Sequence, residues 1–142
     1  MAMTTPYYTL LNHTADLGIE IQGTDLKDLF KCAGKALMHL LIKINSAEKP
    51  TPMKISISGD DLEDLMVRWL GEILYLVEGK ELVVTSIEIE TLSPSMLEAV
   101  IDTAPFNPRI HELLMEIKAV TYHQIKVAER DGIWEARVIF DL

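Results

Sequence analysis

Two long stretches of this chain carry apolar residues at spacings of three and four, the pattern of an amphipathic helix. The first follows Thr24 or Asp25, either of which can cap a helix, and runs to Ile44. The second follows a capping-box pattern formed by Asp60 and the glutamate three residues later, and ends at Gly79. Each helix must bury its apolar stripe, and one face of a sheet is the simplest partner.

Segments with period-two alternation surround these helices and predict strands. They lie at 7–12, 17–23, 53–57, 87–89, 96–101, 113–128 and 133–142. Asp131-Gly132 is a strong hairpin signal between the last two segments. We therefore predict an α+β fold with one domain over residues 1–142, in which two helices pack on one face of a mixed or antiparallel sheet.

Composition excludes several classes of protein. The chain has 142 residues, a net charge of -9 and a pI near 4.8, so strong direct binding to nucleic acid is not expected. No apolar run has the length of a membrane span and no charged-then-apolar leader is present, so a cytoplasmic protein is expected. The single Cys32 forms no internal disulfide.

Acidic residues at the two ends of the chain form a candidate cation site. His13 and Asp16 lie in the short connection between the first two strands, and Asp141 lies near the end of the last. If Asp16 and Asp141 meet beside the terminal carboxylate of Leu142, like charges converge and need a cation or a proton. Carboxylate oxygens suit a hard cation such as Ca²⁺ or Mg²⁺.

Other interpretations of these residues remain open on the sequence alone. Asp16 can bond its own turn, and Asp141 can be a solvated acid at a strand end. Strand parity predicts that Lys118 shares the polar face with Asp141, while His123 points toward the apolar side. His13 and His123 are then structural donors, and His111 is expected at the surface.

Four segments give the chain a resemblance to the archease family. They are His13-Thr14-Ala15-Asp16-Leu17-Gly18, Trp69-Leu70-Gly71-Glu72-Ile73-Leu74-Tyr75-Leu76, Ile117-Lys118-Ala119-Val120-Thr121-Tyr122-His123 and Val138-Ile139-Phe140-Asp141-Leu142. They occur in family order, and the match extends over nearly the whole chain. The segment Thr103-Ala104-Pro105-Phe106-Asn107 departs from the family pattern, because relatives usually carry two acids there.

The resemblance implies a non-catalytic partner of an RtcB-type RNA ligase in tRNA splicing and RNA repair. Such a protein promotes guanylylation of the ligase and permits multiple turnover. The family's important positions map onto Asp16, Lys118 and Asp141. The two aspartates and the carboxylate of Leu142 would hold a divalent cation, with Ca²⁺ as the first choice and Mg²⁺ or Mn²⁺ as alternatives. His13 and His123 would have supporting roles.

Two other functions compete with ligase activation. A metal-assisted hydrolase would use Asp16 and Asp141 as ligands and His13 or His123 as a base. A general chaperone or modulator of RNA-modifying enzymes would act on several clients. Nucleophile, Walker and dinucleotide motifs are absent from the sequence, which favours an accessory protein. Self-association is left open, because long edge strands can pair between copies.

Overall fold

A computed structural model describes residues 8–12, 16–46 and 48–142 of the chain. The strands in these residues are β1 (Tyr8–Asn12), β2 (Asp16–Gly23), β3 (Ile42–Ile44), β4 (Thr51–Ser58), β5 (Leu82–Ser93), β6 (Met96–Pro105), β7 (His111–Leu113), β8 (Ala119–Val120), β9 (Lys126–Arg130) and β10 (Ile133–Asp141). The helices are α1 (Leu26–Leu41) and α2 (Leu62–Glu78). The described elements confirm the α+β class.

The last strand, β10, is the centre of a five-stranded antiparallel sheet. It pairs along its length with β2, which in turn pairs with β1. On its other side it pairs with β9 and then with β8. Its alternate residues Ala136, Val138 and Phe140 are buried and turn one face of the sheet toward the core.

The remaining strands form two further sheets rather than joining the first. Strands β4, β6 and β5 form a three-stranded antiparallel sheet in that order, and β3 pairs with β7. Helix α1 packs on both β2 and β5, and α2 packs on β5, β4 and β8. The helices therefore cover the apolar faces of the two larger sheets, and one hydrophobic core serves both.

Side-chain caps begin both helices. Asp25 accepts a hydrogen bond from the backbone N–H of Asp28 at 2.8 Å and so caps α1. Helix α2 is capped by Asp61, which accepts from the N–H of Asp64 at 2.8 Å. The predicted cap at Asp60 is therefore wrong by one residue, although the position of the helix was predicted correctly.

A buried hydrogen bond joins the two helices. The Trp69 side chain is fully buried, and its indole N–H donates to the backbone carbonyl of Phe30 at 2.9 Å. A buried tryptophan needs such a partner for its N–H group. The contact holds α2 against the N-terminal half of α1.

Two other predictions about the elements are wrong. The first helix stops at Leu41, and Ile44 lies in β3, where it pairs with His111. The predicted long strand at 113–128 is broken into parts of three strands. Leu113 ends β7, residues 119–120 form β8 and residues 126–128 begin β9. The chain turns between them, with Gln124 at φ 54°.

Candidate functional site

Asp16 and Asp141 face each other across neighbouring strands. The register of β2 and β10 places them directly opposite one another at the end of the paired region. Side chains opposite one another in an antiparallel pair have Cβ atoms about 4.5–5.5 Å apart. Because Phe140 points into the core, its neighbour Asp141 points to the outer face of the sheet, and Asp16 points with it.

The next charged pair along this outer face is balanced. Glu20 lies opposite Arg137, and their side chains form an ion pair of 3.0 Å. At the Asp16–Asp141 position the register places two acids opposite each other, and like charges in that arrangement destabilise a sheet. Within the described part of β2 and β10, the two opposed acids thus lie at one end of the strand pair.

The backbone of Lys118 belongs to the same end of the sheet. Its N–H donates to the carbonyl of Asp141 at 2.8 Å, and the following residue, Ala119, pairs with Asp141. Three of the four sequence segments that resemble archease proteins therefore meet at this point. We refer to Asp16, Asp141 and Lys118 together as the acidic end of the sheet.

The direction of the Lys118 side chain relative to the face of Asp141 stays a prediction. Lys118 directly precedes β8, so strand alternation does not fix where its side chain points. Lys118 is exposed and borders a cleft of about 450 Å³ with Gly71 and Tyr75 of α2. Ala119, which pairs with Asp141, borders the same cleft, so the cleft adjoins this end of the sheet.

The two histidines with predicted supporting roles have different outcomes. His13 lies outside the described residues. His123 is exposed, and its backbone N–H donates to Thr121 Oγ1 at 3.2 Å. The prediction that His123 points toward the apolar side is wrong, because the chain turns here and strand alternation does not apply.

The ligands available to a cation come from neighbouring strands. Within the described part of the chain, no group of three His, Cys, Asp or Glu side chains is close enough to hold a metal ion. Asp16 and Asp141 supply two carboxylates, and Leu142, which is 40% exposed, follows Asp141 directly. Carboxylate oxygens are the ligands that hard cations prefer, so this donor set fits Ca²⁺ better than a soft metal.

Tyr122 has a structural role that the sequence did not indicate. Its hydroxyl donates to Asp64 Oδ1 at 2.6 Å, although the residue is 55% exposed. Asp64 Oδ2 accepts from Arg68 Nε at 2.9 Å and from the N–H of Asp60 at 2.8 Å. These bonds, led by that from Tyr122, lower the pKa of Asp64, and the same contact raises the pKa of Tyr122.

Thr121 connects the same segment to the central strand. Both its backbone N–H and its hydroxyl donate to the carbonyl of Ile139, at 3.0 and 2.9 Å. Thr121 and Tyr122 thus hold the segment after Lys118 between β10 and the start of α2. Neither contact could be found from periodicity, because both partners are distant in sequence.

His111 is buried rather than exposed. Only 4% of its surface is accessible, and its Nδ1 accepts from the N–H of Asn107 at 2.9 Å. Its ring packs against Phe106 with centroids 5.8 Å apart. Two residues of the segment 103–107, which departs from the archease pattern, therefore contact this histidine. The predicted surface position of His111 is wrong.

No helix among the described residues is long and apolar enough to cross a membrane. This result agrees with the hydropathy of the sequence.

Comparison with known proteins identifies the family. The sequence profile of the Archease protein family matches residues 8–142 of this chain. The archease of Methanosarcina acetivorans is 32% identical over 139 residues, which cover 95% of each chain. The archease of Pyrococcus furiosus is 34% identical over 134 residues, covering 92% of this chain and 94% of the relative.

Solved structures share the fold of this chain. The solution structure of Methanobacterium thermoautotrophicum protein 1598 is 26% identical, with a TM-score of 0.78 over 97% of this chain and 100% of that one. The crystal structure of a Thermotoga maritima archease, described as a possible chaperone, has a TM-score of 0.64 over 100% of this chain and 99% of that one. At 20% identity it supports the fold alone. The chain belongs to the archease family.

Proposed function

We propose that this chain is a non-catalytic protein cofactor that activates an RtcB-type RNA ligase by promoting its guanylylation. One observation carries the proposal: Asp16 lies opposite Asp141, and the backbone of Lys118 bonds to Asp141. These are the three positions to which the family resemblance assigns ligase activation. Their meeting at one end of the sheet gives a partner a single surface to contact.

The two aspartates would hold a divalent cation, with the carboxylate of Leu142 as a third ligand. Asp16 and Asp141 face each other without the opposite charge that balances Glu20 on the same face. A cation would supply that charge and accept their oxygens, with Ca²⁺ preferred and Mg²⁺ or Mn²⁺ as alternatives. The protein's own contribution is to fix both carboxylates on paired strands, which leaves little freedom in their separation.

The acidic end of the sheet would dock on the basic cleft of the ligase. A net charge of -9 favours encounter with a surface that binds RNA, because complementary potentials raise association rates. Lys118, which is exposed beside Asp141 and borders the neighbouring cleft, would contact a phosphate or an acidic side chain. The RNA joining itself would be carried out by the ligase.

The test is single-turnover guanylylation and multiple-turnover RNA joining by the cognate ligase, with Asp16→Asn as the variant. The matched control is Glu88→Gln, which removes the same charge from an exposed position on β5. We expect Asp16→Asn to lose most of the stimulation and Glu88→Gln to retain it. Equal stimulation by wild type and Asp16→Asn would contradict the proposed site.

Removal of the cation separates a functional metal from a structural one. If the cation is delivered to or shared with the ligase, chelation should abolish stimulation while circular dichroism still shows folded protein. If the cation only stabilises the pairing of β2 with β10, chelation should lower the melting temperature and leave stimulation of the ligase by folded protein intact.

A general chaperone is the second candidate function, favoured by exposed apolar side chains such as Leu113 and Leu114, which are 56% and 50% exposed. It requires suppression of aggregation in clients unrelated to the ligase. Stimulation of the ligase together with no effect on such clients would exclude it.

A further inference from the structure

An apolar groove lies away from the acidic end of the sheet. It runs between the C-terminal half of α1, strand β3 and the edge of β5, with a volume of about 540 Å³. Its floor consists of Met38, Ile42, Val84 and Ile87, each of which is only 4–7% exposed. None of the three residues of the acidic end lines it. We call it the α1–β5 groove.

The rim of this groove has the opposite charge to the protein as a whole. Lys35 and Lys43 are exposed and line it, and no Asp or Glu is among its lining residues in the described chain. This is unexpected for a chain with 22 acidic and 13 basic residues. A ligand that enters the groove therefore meets an apolar floor and a cationic rim.

The walls of the groove suit a polypeptide better than a small amphiphile. Strand β5 is an edge strand of its sheet, and its residues Thr85 and Ser86 line the groove. An edge strand offers backbone donors and acceptors that another backbone can satisfy. Ile44 and Leu114, which are 40% and 50% exposed, extend the apolar surface beyond the floor.

We propose that the α1–β5 groove binds a segment of a partner protein that combines apolar and acidic side chains. The apolar side chains would cover Val84 and Ile87, and the acidic ones would face Lys35 and Lys43. Charge complementarity selects this occupant, because a basic segment would be repelled by the rim. The site is separate from the surface proposed for ligase activation, so the protein would contact two partners, or two parts of one.

The first test is selection from a library of random twelve-residue peptides on the full chain. We expect the enriched peptides to carry both acidic and apolar residues. A synthetic peptide of the most enriched sequence would then be measured by fluorescence anisotropy. Enrichment of basic peptides, or no enrichment at all, would overturn the proposal.

Three variants locate the binding. Lys43→Glu reverses a rim charge and should weaken binding at least about tenfold. Leu114→Ser removes exposed apolar surface and should also weaken it. Lys54→Glu is the control, because Lys54 is an exposed strand lysine outside the groove. Equal loss in Lys43→Glu and Lys54→Glu would indicate non-specific attraction and contradict the proposed site.

Two other occupants would be recognised by separate measurements. Self-association of the wild type in sedimentation velocity that disappears in Leu114→Ser would place a second copy in the groove. Calorimetric binding of sodium decanoate that excludes the selected peptide would indicate a small amphiphile. Either result would overturn the assignment to a partner segment.

Discussion

Gly71 lies in the interior of α2, and we expect its replacement by alanine to stabilise the protein. A Cβ atom built at this position meets no atom within 4 Å, so alanine fits without rearrangement. Glycine in a helix interior costs about 0.5–1 kcal/mol relative to alanine, because it loses more backbone freedom on folding. Gly71→Ala should therefore raise the free energy of unfolding by up to about 1 kcal/mol.

Gly34 in α1 is the matched comparison with the opposite expected sign. A Cβ atom there would lie 2.6 Å from Ile87 Cδ1 and 2.9 Å from Ile73 Cδ1. Both isoleucines are buried, so their side-chain ends have little room to move. Overpacking costs about 1–3 kcal/mol, which exceeds the gain of about 1 kcal/mol in helix propensity. We therefore expect Gly34→Ala to lower the free energy of unfolding by about 1 kcal/mol.

The assay is urea unfolding of wild type, Gly71→Ala and Gly34→Ala, followed by far-ultraviolet circular dichroism. The transition midpoint should rise in Gly71→Ala and fall in Gly34→Ala, with the slope m unchanged in both. A lower midpoint for Gly71→Ala would refute the prediction. The added methyl group touches no other atom and removes no contact, so the structure offers no source of destabilisation. Equal shifts of both variants would show that local packing does not decide the sign.

Two further predictions concern buried and half-buried hydrogen bonds. Trp69→Phe should lower the free energy of unfolding by roughly 2 kcal/mol, because a buried hydrogen bond to the Phe30 carbonyl is lost and a void remains. Thermal unfolding would measure this, and an unchanged melting temperature would contradict it. The folded-state pKa of Asp64 is lowered, so its carboxylate contributes stability above its unfolded-state pKa and loses it as pH falls. Tyr122→Phe removes the largest cause, so the pKa of Asp64 should rise and acid unfolding should begin at a higher pH. Carboxyl titration by NMR would check this with Tyr75→Phe as control, and equal Asp64 titration in both variants would exclude the Tyr122 contact as the cause.

The sequence predicted an element correctly where its apolar spacing and its flanking residues indicate the same boundaries. The apolar spacing of the second helical segment, together with the flanking Asp and Gly, predicted α2 to within a residue or two. The sequence named Asp16 and Asp141 as candidates but could state their meeting only as a condition, because it does not reveal which strands pair; the antiparallel pairing of β2 with β10 places them opposite each other. Whether these residues bind a cation remains a prediction.

The predictions from residue spacing failed where contacts between distant parts of the chain determine the secondary structure. Ile44 fits the helical spacing of α1, but it pairs with His111 from a distant part of the chain, and both residues belong to short strands. The run at 113–128 alternates well enough for one strand, yet Thr121 bonds to Ile139 and the chain turns there. Such contacts depend on the assembled fold and leave no periodic signal.

The position of β10 in the sheet has a consequence for synthesis on the ribosome. It is the last of the described elements in sequence and the central strand of the five-stranded sheet. Strands β2, β8 and β9 therefore cannot complete their pairing until β10 has been synthesised. Until residues 133–141 leave the exit tunnel, the β1–β2 hairpin has no partner on its inner edge. The ordering step therefore joins residues more than a hundred positions apart, and contacts of such separation are slow to form. Nascent chains stalled before β10 should be protease-sensitive throughout this sheet.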